Sequence, residues 1–293
     1  MPPTSASGFA AFPALLAFEP IVFRTRSPMR FSKWQGLGND YLLVERADVG
    51  RPLEPALVRR LCDYHLGVGS DGILEVLTAD GPRAEVVIWN PDGSTAELSG
   101  NGTRIAARWL ARRSGVDEVR IEVGAREVVA RMRGGLEVEA EMGRVEVGSR
   151  ETLAVDGGQV EFTPVSVGNQ HAVIRRDPER DDLLRLGPLV ENHERFPART
   201  NVQLVRVDSS SEATVGVWER GAGETLSSGT SAVAVAGAAV ANGWCVSPVT
   251  IHLAGGDMQV ELDEAFNVRL TGAAQEICTG EVSAELLAEV ADG

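Results

Sequence analysis

Two short stretches place a small hydroxyl directly before a glycine and an apolar helix, and their pairing suits a two-sided site for a small anion. The first runs from Asn90 through Pro-Asp-Gly-Ser-Thr-Ala-Glu-Leu to Ser99, Gly100, Asn101, Gly102, Thr103 and Arg104. The second is Ser228, Gly229, Thr230 and Ser231. A glycine-flanked helix start offers free backbone N–H groups and the positive end of the helix dipole, which together attract an anion. Two such ends meeting at a cleft would hold one α-carboxylate, with residues 99 and 228 approaching opposite faces of the carbon beside it. Inverting that carbon takes a base on one face and an acid on the other. Taken singly, each serine also suits an ordinary N-cap.

The elements that must position these residues can be read from hydrophobic periodicity. Residues 29–46 read as strand, glycine turn at Gly36–Gly38, and strand; residues 54–65 read as a short helix with Leu57, Leu61 and Tyr64 at helical spacing. Residues 67–77 and 84–94 each combine a turn with a strand. A helix is expected over Gly100–Gly115, with Ile105, Ala106, Trp109 and Leu110 as its apolar stripe and a glycine at its end. From Val119 to Arg150 polar and apolar residues alternate as in antiparallel strands. Further strands are expected at 160–174, 200–208, 211–224, 248–253, 257–263, 266–272 and 276–282. Residues 228–243 read as a helix of Ala, Val and Gly with no polar face, hence buried on every side. The stretches 97–115 and 226–243 repeat one pattern, in which Ser99 and Ser228 are equivalent. The economical reading is an α+β fold of two pseudo-symmetric domains, each a mostly antiparallel strand barrel wrapped around a central helix.

Bulk properties narrow the partners. The chain has 293 residues and a formal net charge of −14, which argues against nucleic acid and against an anionic membrane surface. A small zwitterion responds to the local site instead. Three widely spaced cysteines, Cys62, Cys245 and Cys278, form no CxxC, so a reducing cytoplasm is expected and buried structural thiols are the expected account of all three. The four histidines form no HxxxH pair, so no metal is expected. Residues 1–28 read as a disordered extension, with Met29 opening the first strand.

Seven segments then resemble, in order, the serial motifs of the diaminopimelate epimerase family: 33–45, 66–74, 89–104, 165–174, 196–205, 217–236 and 270–282. The resemblance implies a cofactor-independent epimerase that interconverts LL- and meso-2,6-diaminopimelate, in lysine and cell-wall synthesis. It implies that Asn39, Asn90, Asn169 and Asn201 hold the distal amino-acid end of this small-molecule substrate, with Glu219 and Arg220 in the same set. Gly100, Asn101, Gly229 and Thr230 would present N–H groups to the carboxylate at the reacting carbon. His171 stands where the family's Gly-Asn-Pro-His motif has its histidine, with Gln170 in place of the proline. The expected organisation is an N-terminal domain of residues 29–143 plus 272–293 and a C-terminal domain of 144–271, with a homodimer left open.

The sequence departs from the family at the reacting atoms, where two cysteines are replaced by Ser99 and Ser228. A thiol starts near pKa ~8.5 and an alcohol much nearer water's ~15.7. A helix dipole shifts a pKa by only about one unit. Serine would therefore need help, and His171 or Glu219 acting through the hydroxyl are the expected helpers. The same departure keeps two other readings open: an isomerase of another small acid on this scaffold, and a non-catalytic amino-acid-binding protein.

Overall fold

The computed structural model describes residues 29–49 and 52–292; the extension expected at 1–28 lies outside them. The first strand, Met29–Gly36, turns back through Leu37 and Gly38, both at positive φ, into Asn39–Glu45. That strand pairs in parallel with Ile73–Asp80, which pairs antiparallel with Arg83–Trp89. Arg83–Trp89 pairs in parallel with Glu118–Val123, and two hairpin steps lead to Arg126–Gly134 and Glu137–Arg144.

The second half repeats this succession of senses. Gly158–Ser166 runs antiparallel to Gln170–Arg175, which pairs in parallel with Asn201–Ser209 and then antiparallel with Glu212–Glu219. Glu212–Glu219 pairs in parallel with Val249–Leu253, followed by Gly256–Leu262 and Asn267–Ala273. The halves join where the equivalent strands Glu137–Arg144 and Asn267–Ala273 pair with each other, Ala140 opposite Leu270. Each half also lends a strand across this seam. Gln275–Val282 returns to Met29–Gly36, and Glu146–Val147 crosses to Gly158–Ser166. The result is the two-domain α+β architecture expected from the repeat.

Each half surrounds one helix, Gly100–Ser114 or Gly229–Ala241. In the first, Ile105, Ala106, Ala107 and Leu110 are buried, and Gly115 ends the helix at φ 73°. The second is buried continuously from Gly229 to Ala239, as its lack of a polar face required. At Gly237 a side chain would press on Val145 and Val147 of the surrounding strands.

The register fixes which residues are equivalent. Leu42 pairs with Ile73 and Ile73 with Trp89, while Ala172 pairs with Val202 and Val202 with Trp218. Tyr41 therefore corresponds to His171, Asn39 to Asn169, and Asn90 to Glu219. Ser99 lies ten residues after Trp89 and Ser228 ten after Trp218, so the serines correspond as the sequence repeat suggested. Each tryptophan donates its indole N–H to a buried glutamate: Trp89 to Glu75 at 3.0 Å, Trp218 to Glu191 at 2.7 Å.

Three expectations change. Residues 175–199, given no element from the sequence, hold a helix at Arg180–Glu191 that buries Leu183, Leu186 and Val190. Their spacing is helical, but Pro188 inside the helix obscures the pattern. A second unassigned helix covers Ala284–Asp292. Cys62 and Cys245 are buried as expected, but Cys278 is exposed. It sits on Gln275–Val282, which among the described residues pairs only with Met29–Gly36 and most of whose residues are exposed. Among the described residues no helix is long and apolar enough to cross a membrane.

Candidate functional site

The two central helices meet start to start. A Cβ built on Gly100 would lie 2.9 Å from the Gly229 Cα, and one on Gly229 would lie 2.9 Å from the Gly100 Cα. Glycine at both positions lets the two backbones touch, so two sets of first-turn N–H groups and two positive dipole ends share one region. Ser99 and Ser228 cap these helices from extended backbone. Ser99 Oγ accepts from the Gly102 N–H at 3.0 Å and Ser228 Oγ from the Ser231 N–H at 3.4 Å. The plain N-cap geometry is therefore present at both serines.

Beside Ser99 stands Tyr41, whose hydroxyl lies 3.1 Å from Ser99 Oγ. Burial raises the Tyr41 phenol, with the Ser99 hydrogen bond opposing, so it stays protonated at neutral pH. Asn101, also buried, ties the halves together: its amide donates to Asn39 Oδ1 at 3.2 Å and to Ser227 Oγ at 3.0 Å. Asn39 in turn donates to Asp71 at 3.0 Å. Asp71 shares the Tyr64 hydroxyl with Asp40, and Asp40 is paired with Lys33 at 2.7 Å. Burial, together with the Asp40 carboxylate, raises Asp71 above the usual carboxylate range.

Around Ser228 the groups are neutral. Thr230 Oγ1 lies 3.5 Å from Ser228 Oγ and receives the Asn169 amide at 3.5 Å. His171 Nε2 meets Asn169 Oδ1 at 2.9 Å, and the Gln203 amide meets His171 Nδ1 at 3.0 Å. Gln203 also donates to Ser231 Oγ at 3.0 Å. With Gln203 donating to Nδ1, the imidazole carries its proton on Nε2 and gives it to Asn169. Burial depresses the imidazole to about 3, so it stays neutral. Both ring nitrogens are occupied and neither meets a capping serine, so the helper-base role expected of His171 is not what this geometry offers. It orients Asn169 instead.

Glu219 ends the strand Glu212–Glu219 and is a carboxyl with a displaced titration. Burial pushes its carboxyl up to about 7, with a Thr225 hydrogen bond opposing and Asp71 adding to the rise. Its charge adds to the rise of the Tyr41 phenol. Asn201 uses both ends of its amide on backbone, donating to the Gln170 carbonyl at 3.0 Å and accepting from the Arg220 N–H at 2.9 Å. The exposed Arg220 side chain donates to the Ala198 carbonyl at 3.2 Å. Asn90 is engaged in its own turn, donating to Ser94 Oγ at 2.9 Å.

The structure thus brings together Ser99, Ser228, Gly100, Gly229, Asn101 and Thr230 at one place, with Asn39 and Asn169 as matching neighbours. Sequence reading missed Tyr41, Asp71 and Gln203. Tyr41 and His171 follow the same Gly-Asn pair in each half, and that was the signal available for Tyr41. Neither start carries a thiol: Cys62 accepts a hydrogen bond from Ser70, and Cys245 donates to the Ser209 carbonyl. Among the described residues no cluster of three His, Cys, Asp or Glu side chains could hold a metal ion.

Comparison with known proteins follows the same outline. The family described as Diaminopimelate epimerase matches residues 31–148 and 163–277. Diaminopimelate epimerase 2 of Nostoc sp. is 37% identical over 278 residues, covering 89% of this chain and 98% of its own. Diaminopimelate epimerase of Desulfitobacterium hafniense is 38% identical over 276 residues, covering 86% and 97%. Among solved structures, a predicted epimerase from Pseudomonas aeruginosa superposes with a TM-score of 0.69 at 18% identity, covering 87% of this chain and 99% of its own. A hydroxyproline epimerase from Agrobacterium vitis, with trans-4-hydroxy-L-proline bound, gives 0.68 at 18% identity, covering 89% and 92%.

Proposed function

The chain belongs to the diaminopimelate epimerase family, and we propose that it interconverts LL- and meso-2,6-diaminopimelate without a cofactor. The enzyme is an isomerase of the epimerase kind. The observation that carries the finer reading is the abutment of Gly100 and Gly229, which sets Ser99 and Ser228 at two helix starts sharing one anion cradle. A substrate α-carboxylate held by the N–H groups of Gly100, Asn101, Gly229 and Thr230 would leave its α-carbon between the two hydroxyls. Asn39 and Asn169, with Arg220 at the exposed end, would hold the distal amino-acid group.

Proton transfer is where serine needs support. An alcohol that takes the α-proton must pass its own proton on, and the opposite alcohol must give one up. On the Ser99 face the Tyr41 hydroxyl is in contact and Glu219, near neutrality, supplies the reservoir. On the Ser228 face Thr230, Asn169 and His171 hold the hydroxyl in place with no group that titrates near neutrality.

The absence of any thiol at either start favours a second reading, an isomerase acting on a small acid whose carbon acid is stronger than an amino acid's. Solvent-deuterium incorporation separates the two. The first reading expects deuterium at the α-carbon of meso-diaminopimelate with the natural protein, rising at least ~100-fold in the Ser99→Cys/Ser228→Cys variant. No incorporation by the natural protein, with incorporation gained by the variant, rules that reading out.

A further inference from the structure

Arg104 is fully buried and its charge meets no carboxylate among the described residues. Its side chain runs back along the helix, as helical side chains do, toward the start that Ser99 caps. There Nη1 donates to the Gly100 carbonyl at 3.1 Å and Nη2 to Asn101 Oδ1 at 2.7 Å. Nε has no hydrogen-bond partner. Three glycines from other elements make room for it. A Cβ on Gly229 would come within 3.2 Å of Nη1, one on Gly272 within 3.3 Å of Nε, and one on Gly36 within 3.7 Å of Nη2.

The guanidinium therefore lies against the first turn of both helices. Burial lowers it only to about 10, and the distant Glu137 acts to raise it, so the group is cationic at neutral pH. Cations are disfavoured at helix N-termini, and here one sits behind two of them with an unsatisfied N–H. A buried charge without a partner is strongly unfavourable. The corresponding residue of the other half is Val233, so a single cation serves both helix starts.

We propose that Arg104 is a positioning and specificity-determining residue: a fixed positive charge that leaves the paired helix starts electrostatically incomplete until a carboxylate occupies them. The inference rests on reading those starts as the ligand's carboxylate cradle, and it holds for any small carboxylate. A purely structural role for Arg104, bracing Asn101, would stabilise the protein without discriminating an anion from a neutral isostere.

Acetate and acetamide, matched in shape and different in charge, make the test independent of which amino acid the enzyme takes. Each is titrated at constant ionic strength while the amide NMR signals of Gly100, Asn101, Gly229 and Thr230 are followed. The natural protein and Arg104→Lys are expected to bind acetate at least ~10-fold more tightly than acetamide. In Arg104→Gln that preference is expected to fall below ~3-fold. Asn101→Asp, which sets a carboxylate against Nη2 while keeping the arginine, is expected to lose the preference as well, so the test survives if Arg104→Gln does not fold. A preference unchanged in Arg104→Gln or Asn101→Asp overturns the proposal, as does a natural protein whose four amides ignore acetate. Diaminopimelate turnover plays no part in this readout, so failure of the substrate assignment and failure of the inference are told apart.

Discussion

The two helix starts are related by the fold and differ in their chemistry. Both have a serine cap, a following glycine and an asparagine near the cap, Asn39 or Asn169. Beside Ser99, however, stands a phenol at 3.1 Å, whose rise the Glu219 charge increases. Beside Ser228 stands a threonine at 3.5 Å, backed by a neutral imidazole whose two nitrogens are both engaged. In the proposed reading the symmetric parts would make the carboxylate cradle, where like donors from each side are wanted. The asymmetric parts lie where protons must move, and a reaction that converts one stereoisomer into another treats the two faces of its carbon differently.

The largest effects are expected at the serines. Ser99→Ala and Ser228→Ala should each lower epimerisation by ~10²–10⁴, followed by chiral chromatography. Each should leave some deuterium exchange with one stereoisomer, a different one in each variant. Exchange with the same stereoisomer in both would break the assignment of one serine to each face. Next come the glycines. Gly100→Ala and Gly229→Ala each push a methyl into the backbone of the partner helix, at ~1–3 kcal/mol in stability. Misplacing the caps should cost a further ~100-fold in exchange rate. Thermal melts of the two variants should agree; tolerance of one alone would show that the seam is not shared equally. Smaller again, Tyr41→Phe deletes a well-formed hydrogen bond worth about 1 kcal/mol, roughly fivefold in rate. Thr230→Val removes a contact at the limit of hydrogen bonding and should cost about twofold or less. Equal effects would erase the distinction between the faces.

The symmetric features were legible in the sequence because they rest on backbone requirements. Glycine after a small polar cap, and apolar residues at helical spacing, announce a helix start wherever they occur, and the repeat of 97–115 in 226–243 exposed the two-fold design. Glu118–Val123, Val249–Leu253 and Gly256–Leu262 alternate in burial, whereas Asn39–Glu45, Ile73–Asp80, Gln170–Arg175 and Asn201–Ser209 carry continuous buried runs because apolar clusters cover their other face as well. The helix at Arg180–Glu191 was hidden by Pro188. Within the site, Tyr41 and Gln203 escaped notice because strand residues with good apolar neighbours read as core, and only register shows which of them faces a cap. His171 was legible as a candidate, but its hydrogen bonding was not, because that depends on Gln203, a partner 32 positions away in sequence.

The smallest effect concerns pH, and it arises from the same comparison. The C-terminal half carries Glu219 and His171 where the N-terminal half carries Asn90 and Tyr41, so groups able to respond between pH 3 and 7 at these corresponding positions belong to one half. Their influences oppose each other. Glu219 rises from an unfolded value near ~4.3 to about 7 on folding, so between these values the unfolded chain binds fewer protons and stability falls as pH rises. His171 drops from ~6.5 to about 3, so there the unfolded chain binds more protons and stability rises with pH. From about pH 4.5 to 6.5 the two slopes, each at most ~1.4 kcal/mol per unit, offset each other. In denaturant titrations, Glu219→Gln should tilt the stability profile of the natural protein upward with pH across that window, and His171→Gln should tilt it downward. Tyr41→Phe should leave the slope unchanged, because a raised phenol does not titrate there. A changed slope with Tyr41→Phe, or an unchanged one with both C-terminal variants, would break the distinction between these corresponding positions.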